Sequence, residues 1–120
     1  MYIHLPMLFS ILDGASSRRR SIIGKVAKRW KPIRNVTSKY FISREQFEPA
    51  FYPDFNTGPA YVLTNDVIEP LYRTSLLGTF FKLEDVYVTG MMAAPLKITH
   101  IDYPQFYNRR LKLETCAVAK

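Results

Sequence analysis

The spacing of apolar positions predicts an α/β chain that begins with a helix. Apolar residues recur at helical spacing from Leu5 to Asp13, which predicts a helix with Pro6 in its first turn and Gly14 at its end. The residues of this stripe are Leu5, Leu8, Phe9 and Leu12. Apolar and polar positions then alternate loosely from Ile22 to Trp30, which predicts a strand that ends before Lys31-Pro32.

The middle of the chain is predicted to contain short strands on either side of an irregular segment. Lys39–Ile42 is predicted as a second strand, and Ser43–Gln46 as a capped helical turn that follows it. Phe51–Pro59 contains two prolines, a glycine and three aromatic residues, so a turn-rich segment anchored by its rings is expected there. Ala60–Leu63 is predicted to be a short buried strand.

A helix and a weak strand are predicted in the second half of the chain. The helix extends over Val67–Leu77 and is capped by Thr64-Asn65-Asp66, unless Pro70 marks its true beginning. The weak strand is Lys97–Ile101, and a polar tail occupies about residues 105–120. We expect a single domain over residues 1–120.

Two adjacent carboxylates, Glu84 and Asp85, precede an apolar run that is compatible with a helix and ends at Pro95. Acidic side chains are favourable in the first turn of a helix, because the N–H groups there have no partners within the helix. Neighbouring helical side chains point about 100° apart, so the two carboxylates cannot both face one reacting atom. One of them could act as a general base while the other caps the helix. A well-started core helix is the alternative interpretation.

The composition is that of a folded domain, and the charge does not by itself identify a partner. The chain has 120 residues, of which 48% are hydrophobic and 14% aromatic, with a net charge of +7. The basic residues are scattered, so we do not expect nucleic acid as a partner, whereas a nucleotide diphosphate would also suit this charge. His4 and His100 are isolated and Cys116 is the only cysteine, so no metal-ligating residues are predicted.

The aromatic residues of the irregular segment are candidates for a binding site. Tyr52 and Phe55 are either core anchors or the floor of a sugar site, because the apolar faces of sugars pack well on rings. Gly58 would allow a ligand to approach the backbone closely.

Three segments, in this order and at this approximate spacing, resemble glycosyltransferase family 31, the β-1,3-galactosyl- and N-acetylglucosaminyltransferases. The first is similar to the family pattern Pro-x-Arg followed by Lys-Trp/Tyr-x-Val-Ser, and the second to Tyr-Pro-x-Tyr-x-x-Gly-x-x-Tyr-x-x-Ser. The third matches Glu-Asp-Val-Tyr-x-x-Gly. The segments are Lys31–Ser43, Tyr52–Thr64 and Glu84–Gly90, within a family-like core of about residues 22–98.

The resemblance implies a partial GT-A-like α/β sandwich, corresponding to the C-terminal half of such an enzyme. It implies inverting transfer of a sugar from a UDP-sugar to a glycan or glycoprotein acceptor, usually assisted by Mn²⁺, on the lumenal side of the Golgi membrane. Asp85 would be the catalytic base and Glu84 its supporting residue. The substrate-binding residues would be Tyr52, Phe55, Gly58 and Tyr61.

The chain departs from the family pattern in two respects. No Asp-x-Asp motif, which carries metal and diphosphate in the family, occurs in the sequence. Asn56 stands where many relatives carry cysteine, so the family disulfide is not expected. We expect the nucleotide-binding half and the N-terminal membrane anchor to be missing, and this chain to be inactive on its own.

Two other functions remain open at this stage. One is a non-catalytic remnant that binds carbohydrate or protein in the same aromatic cleft. The other is a small basic nucleic-acid-binding protein, whose binding would be sensitive to salt.

Overall fold

A three-stranded mixed sheet forms the centre of the computed structural model, which describes residues 3–106. The strands are β1 (Ser21–Ala27), β2 (Phe55–Leu63) and β3 (Thr99–Asp102), in the spatial order β2-β1-β3. β2 runs antiparallel to β1, and β3 runs parallel to it. The helical elements are α1 (Leu5–Ala15), α2 (Asn65–Ser75), a π-helix (Val86–Met92) and a 3₁₀ turn (Ala94–Leu96).

Helices cover both faces of the sheet, because successive residues of β1 point to opposite sides. Ile23 is fully buried against Ile11 and Ala15 of α1. Ile22 is fully buried on the other face, in a cluster with Val67 of α2 and Met92 of the π-helix. A third cluster joins the aromatic segment to the start of the π-helix and consists of Ala27, Ile42, Tyr52, Phe55, Phe81 and Val86.

β2 contains a large bulge opposite Lys25. The pairing passes from Gly24–Tyr61 directly to Val26–Asn56, so residues 57–60 of β2 lie opposite a single residue of β1. Gly58 and Pro59 fall within this bulge, where the missing N–H of proline costs no ladder hydrogen bond. The bulge therefore turns the Gly58 backbone out of the sheet.

The predicted α/β class is confirmed, together with several elements. The helix predicted over residues 5–13 forms α1 with Pro6 in its first turn, although Leu5 and Phe9 of the predicted stripe are exposed. The strand predicted from Ile22 forms β1, and Lys97–Ile101 corresponds to β3. Ser43 and Gln46 form reciprocal side-chain to backbone hydrogen bonds, as the predicted cap requires.

Three predictions for the middle of the chain are wrong. Lys39–Ile42 forms no strand, since only Phe41 pairs, through one isolated bridge to Ile33. The irregular segment ends at Asp54, because β2 begins at Phe55 and tolerates Pro59 in its bulge. Residues 60–63 belong to this longer strand and are half-buried or exposed instead of buried.

The two predicted helices differ from expectation in detail. α2 begins at Asn65, so Pro70 lies inside it and does not start it. The run after Asp85 winds mostly as a π-helix. Thr89 contributes to this geometry, because its hydroxyl donates a hydrogen bond to the Asp85 carbonyl, to which the Thr89 N–H would donate in an α-helix. Most of the predicted polar tail lies outside the described residues.

Candidate active site

A cavity of about 600 Å³ opens beside the bulge of β2 and the start of the π-helix. Gly58 and Pro59 contribute one wall, and Leu83, Glu84, Asp85 and Val86 contribute another. Ile33 and a set of aromatic and basic side chains complete the lining, the latter being Trp30, Tyr40, Tyr52, Phe55, Lys31 and Lys82. Of the predicted site residues, only Tyr61 is not among those that line the cavity, and it contacts Glu84.

Backbone N–H groups fix both carboxylate oxygens of Asp85. Its Oδ2 accepts a hydrogen bond of 3.0 Å from the N–H of Gly58 in the bulge. Its Oδ1 accepts one of 2.9 Å from the N–H of Val86, so Asp85 also caps the π-helix. The carboxylate is half-buried at the cavity wall. Asp85 is therefore held in one orientation before any ligand binds.

Glu84 faces a different partner, as the helical geometry predicted. The hydroxyl of Tyr61 donates a hydrogen bond to Oε1 of Glu84. Burial raises the pKa of the Tyr61 phenol, and the hydrogen bond to Glu84 and the charges of Glu84 and Asp85 raise it further. Tyr61 consequently stays protonated and holds Glu84 in place by donating to it.

Thr89 lies directly behind Asp85 and was not predicted as part of the site. Its fully buried hydroxyl accepts a 2.9 Å hydrogen bond from the N–H of Asn56 and donates to the carbonyl of Asp85. It thus ties the first turn of the π-helix to β2. A Thr four residues after the predicted cap was the available sequence signal, but its role cannot be inferred without knowledge of the neighbouring strand.

The two rings predicted as a sugar floor are mostly core residues. Tyr52 and Phe55 are 7% and 3% exposed and pack edge to face with centroids 6.0 Å apart. Burial raises the pKa of Tyr52, Arg34 opposes this effect, and Asp85 adds to it. The Tyr52 hydroxyl has no hydrogen-bond partner within residues 3–106. Both rings line the cavity, but they offer it little surface.

The described residues do not offer a set of ligands suited to a metal ion. In residues 3–106 no group of three or more His, Cys, Asp or Glu side chains comes together. The two carboxylates at the cavity are engaged by Tyr61 and by backbone N–H groups. Nor is any helix in this part of the chain long and apolar enough to cross a membrane.

A fixed carboxylate on the wall of an open, ring-bearing cavity has the chemistry to accept a proton from a hydroxyl group within hydrogen-bond reach. Among known protein families, the family model described as galactosyltransferase matches residues 1–104. The chain belongs to this galactosyltransferase family, as the resemblance to family 31 predicted.

Individual relatives carry related names. The chain is 33% identical to a lactosylceramide 1,3-N-acetyl-β-D-glucosaminyltransferase B of Danio rerio over 109 residues, 88% of this chain and 28% of that protein. It is 32% identical to the Homo sapiens lactosylceramide 1,3-N-acetyl-β-D-glucosaminyltransferase over 88% of this chain and 29% of that protein. It is 30% identical to β-1,3-galactosyltransferase 1 of Mus musculus over 92% of this chain and 33% of that protein. The chain thus spans about a third of the length of these relatives.

Proposed function

We propose that this chain carries the acceptor side of an inverting hexosyltransferase site built on a GT-A-type fold. The observation that supports this most directly is the position of Asp85, held by the Gly58 N–H at the wall of the 600 Å³ cavity. Membership of the galactosyltransferase family supports the chemistry.

In this proposal Asp85 is the catalytic base. The acceptor hydroxyl oxygen forms a bond to the anomeric carbon of the donor sugar while its proton passes to the Asp85 carboxylate. The bond from that carbon to the nucleotide oxygen breaks, and UDP leaves with the electron pair. Attack in line with the leaving group inverts the anomeric carbon. The Gly58 and Val86 N–H groups contribute by fixing the base beforehand.

Glu84 and Tyr61 act as supporting residues in this proposal. Because Tyr61 donates to Glu84, the second carboxylate is held away from the hydroxyl that Asp85 deprotonates. Tyr52 and Phe55 stabilise the cavity wall through their edge-to-face contact. Gly58 allows the acceptor to reach the backbone at the bulge.

The donor side is the part that the described residues support least. The ligand set at the cavity does not fit a manganese ion, and the sequence contains no Asp-x-Asp motif. The participation of Mn²⁺ in sugar transfer therefore stays a prediction of the family resemblance. We accordingly propose that the 120-residue chain by itself transfers sugar at background level.

The identity of the acceptor and the cellular location extend the proposal further. Relatives are named for transfer to lactosylceramide and for β-1,3-galactosyl transfer. We propose a glycan of a glycolipid or glycoprotein as acceptor, a UDP-sugar as donor, and the Golgi lumen as the place of action.

A chimera tests the base assignment. Residues 1–104 replace the matching segment of the Danio rerio relative, and the rate of sugar transfer to a lactoside is measured. Asp85→Asn is expected to lower kcat by about 10²- to 10⁴-fold, the usual contribution of general base catalysis, with little change in KM for the lactoside. Asp54→Asn is the matched control, because Asp54 is exposed and does not line the cavity.

The outcome shows whether Asp85 acts as a catalytic base or has only a structural role. Full activity of the Asp85→Asn chimera would contradict the assignment. Separately, sugar transfer by the isolated 120-residue chain would refute its inactivity, and transfer that Asp85→Asn abolishes would still support the site.

A carbohydrate-binding protein without catalysis is the second candidate. It is favoured by the absence of a metal-type ligand set in residues 3–106 and by the engagement of both carboxylates. The chimera separates the two, because a binding protein would bind a lactoside in calorimetry while its chimera transfers no sugar to that lactoside.

A further inference from the structure

Two exposed aromatic rings line the cavity but have no role in the catalytic proposal above. Trp30 is 50% exposed and Tyr40 is 49% exposed, and both line the same cavity as Asp85. Tyr52 and Phe55, by contrast, are buried. Any ligand that packs on a ring in this cavity therefore meets Trp30 and Tyr40 first.

The position of Trp30 is fixed by several contacts. Its ring packs edge to face on Phe55, with centroids 5.7 Å apart and an interplanar angle of 88°. Its carbonyl accepts a 2.8 Å hydrogen bond from the N–H of Tyr52. The preceding residue, Arg29, has a φ of 55°, a left-handed conformation that is unfavourable for a residue other than glycine. The chain accepts this strain where it turns from β1 towards the cavity.

Tyr40 is held on a neighbouring loop. The Ile42 N–H donates a 2.9 Å hydrogen bond to the carbonyl of Ile33, which also lines the cavity. The Tyr40 N–H donates to the hydroxyl of Ser38. These bonds hold the loop in place while the ring of Tyr40 stays half exposed, with the Lys39 ammonium 4.8 Å from its centroid.

We propose that Trp30 and Tyr40 form the stacking surface for the acceptor sugar. One face of a pyranose such as the β-galactose unit of lactose presents a continuous set of C–H groups, whose slight positive charge is attracted to the negative face of an aromatic ring. Stacking on these rings leaves the hydroxyl groups at the sugar's edge free to approach Asp85. The stacking role is independent of catalysis, whereas the orientation towards Asp85 rests on the proposed function.

The chain provides its own probe for this interaction. Trp30 is the only tryptophan, so its fluorescence reports directly on a sugar that stacks on it. Lactose is titrated into the 120-residue chain, with glucitol as a polyol that has no pyranose face. A saturable change in emission is expected with lactose and none with glucitol.

Variants locate the effect at the two rings. Tyr40→Ala is expected to weaken the Kd for lactose about three- to tenfold, the size expected for loss of an aromatic contact residue. Tyr72→Ala is the matched control, because Tyr72 is also exposed but lies on α2 and does not line this cavity. By calorimetry, Trp30→Phe should retain lactose binding and Trp30→Ala should lose it. The thermal melting of each variant confirms that it is folded.

The results separate this proposal from the catalytic one. No saturable response of the folded chain to lactose, or an unchanged Kd in folded Tyr40→Ala, would overturn the stacking surface. Asp54→Asn, at an exposed residue that does not line the cavity, should leave the Kd for lactose within about twofold. If lactose binds but the chimera needs no Asp85, the stacking surface stands and the catalytic proposal fails.

Discussion

The backbone N–H of Gly58 lies 3.0 Å from Oδ2 of Asp85 and donates a hydrogen bond to it. The two residues are 27 positions apart in sequence and meet because the bulge in β2 frees the Gly58 N–H from the sheet. The bulge is thus what connects the strand to the candidate base. A substitution at Gly58 should therefore displace the Asp85 carboxylate more than it disturbs the rest of the fold.

Gly58→Ala tests this connection. A Cβ at residue 58 would lie 3.3 Å from Oδ2 of Asp85, which is a tight contact. We expect the carboxylate to shift and the kcat of the chimera to fall by about tenfold or more, since small displacements of catalytic groups have large effects. Gly14→Ala is the control, because an added Cβ there meets no atom within 4 Å. That change should stabilise α1 by up to about 1 kcal/mol and leave kcat unchanged. Equal effects of the two variants on kcat would contradict the proposal.

Thr89 should be required for both stability and geometry. Thr89→Val removes the hydroxyl and leaves the buried N–H of Asn56 without its partner. We expect a loss of about 1–3 kcal/mol in the free energy of unfolding, measured by urea denaturation. Thr89→Ser keeps the hydroxyl and should recover most of the hydrogen-bond contribution. If Thr89→Val is as stable as the wild type, the hydroxyl does not contribute to stability and the prediction is wrong.

Asn56 is a position at which stability can be gained. Its side chain is fully buried, and its Oδ1 and Nδ2 have no hydrogen-bond partners within residues 3–106. Replacing a buried, unpaired amide by an apolar group should be favourable, so Asn56→Val is expected to raise the free energy of unfolding by about 1–2 kcal/mol. Thermal melting measures the change. A lower melting temperature would show that the amide has a partner, such as a buried water.

The raised pKa of Tyr61 predicts how the free energy of unfolding changes at alkaline pH. Its pKa is raised above the ordinary value of 10.0, first by burial and then by Glu84 and Asp85. The folded state therefore holds this proton more tightly than the unfolded state does. The stabilisation that arises from this difference in proton affinity is complete below pH 10 and is lost as the pH rises further. Urea denaturation from neutral to strongly alkaline pH should show a steeper loss in the wild type than in Tyr61→Phe. Tyr72→Phe, at an exposed ring on α2, should follow the wild type.

The local sequence pattern was sufficient to predict several features of the structure. Helical spacing and Pro6 predicted α1, and the different directions of Glu84 and Asp85 followed from the geometry of a helix. These features depend on interactions between residues close in sequence, which a linear pattern records. The family was also identifiable, because its segments are recognisable without knowledge of their contacts.

The tertiary structure decided which rings are exposed and what holds the base. Tyr52 and Phe55 were predicted as binding residues, but packing against Phe81 and Val86 buries them, whereas Trp30 and Tyr40 keep exposed faces. Pro59 suggested that no strand could pass through this segment, yet the bulge accommodates it. The contacts of Gly58 and Thr89 with Asp85 join separate elements of the fold. Such contacts depend on how a strand and a helix pack together, which no local stretch of sequence specifies.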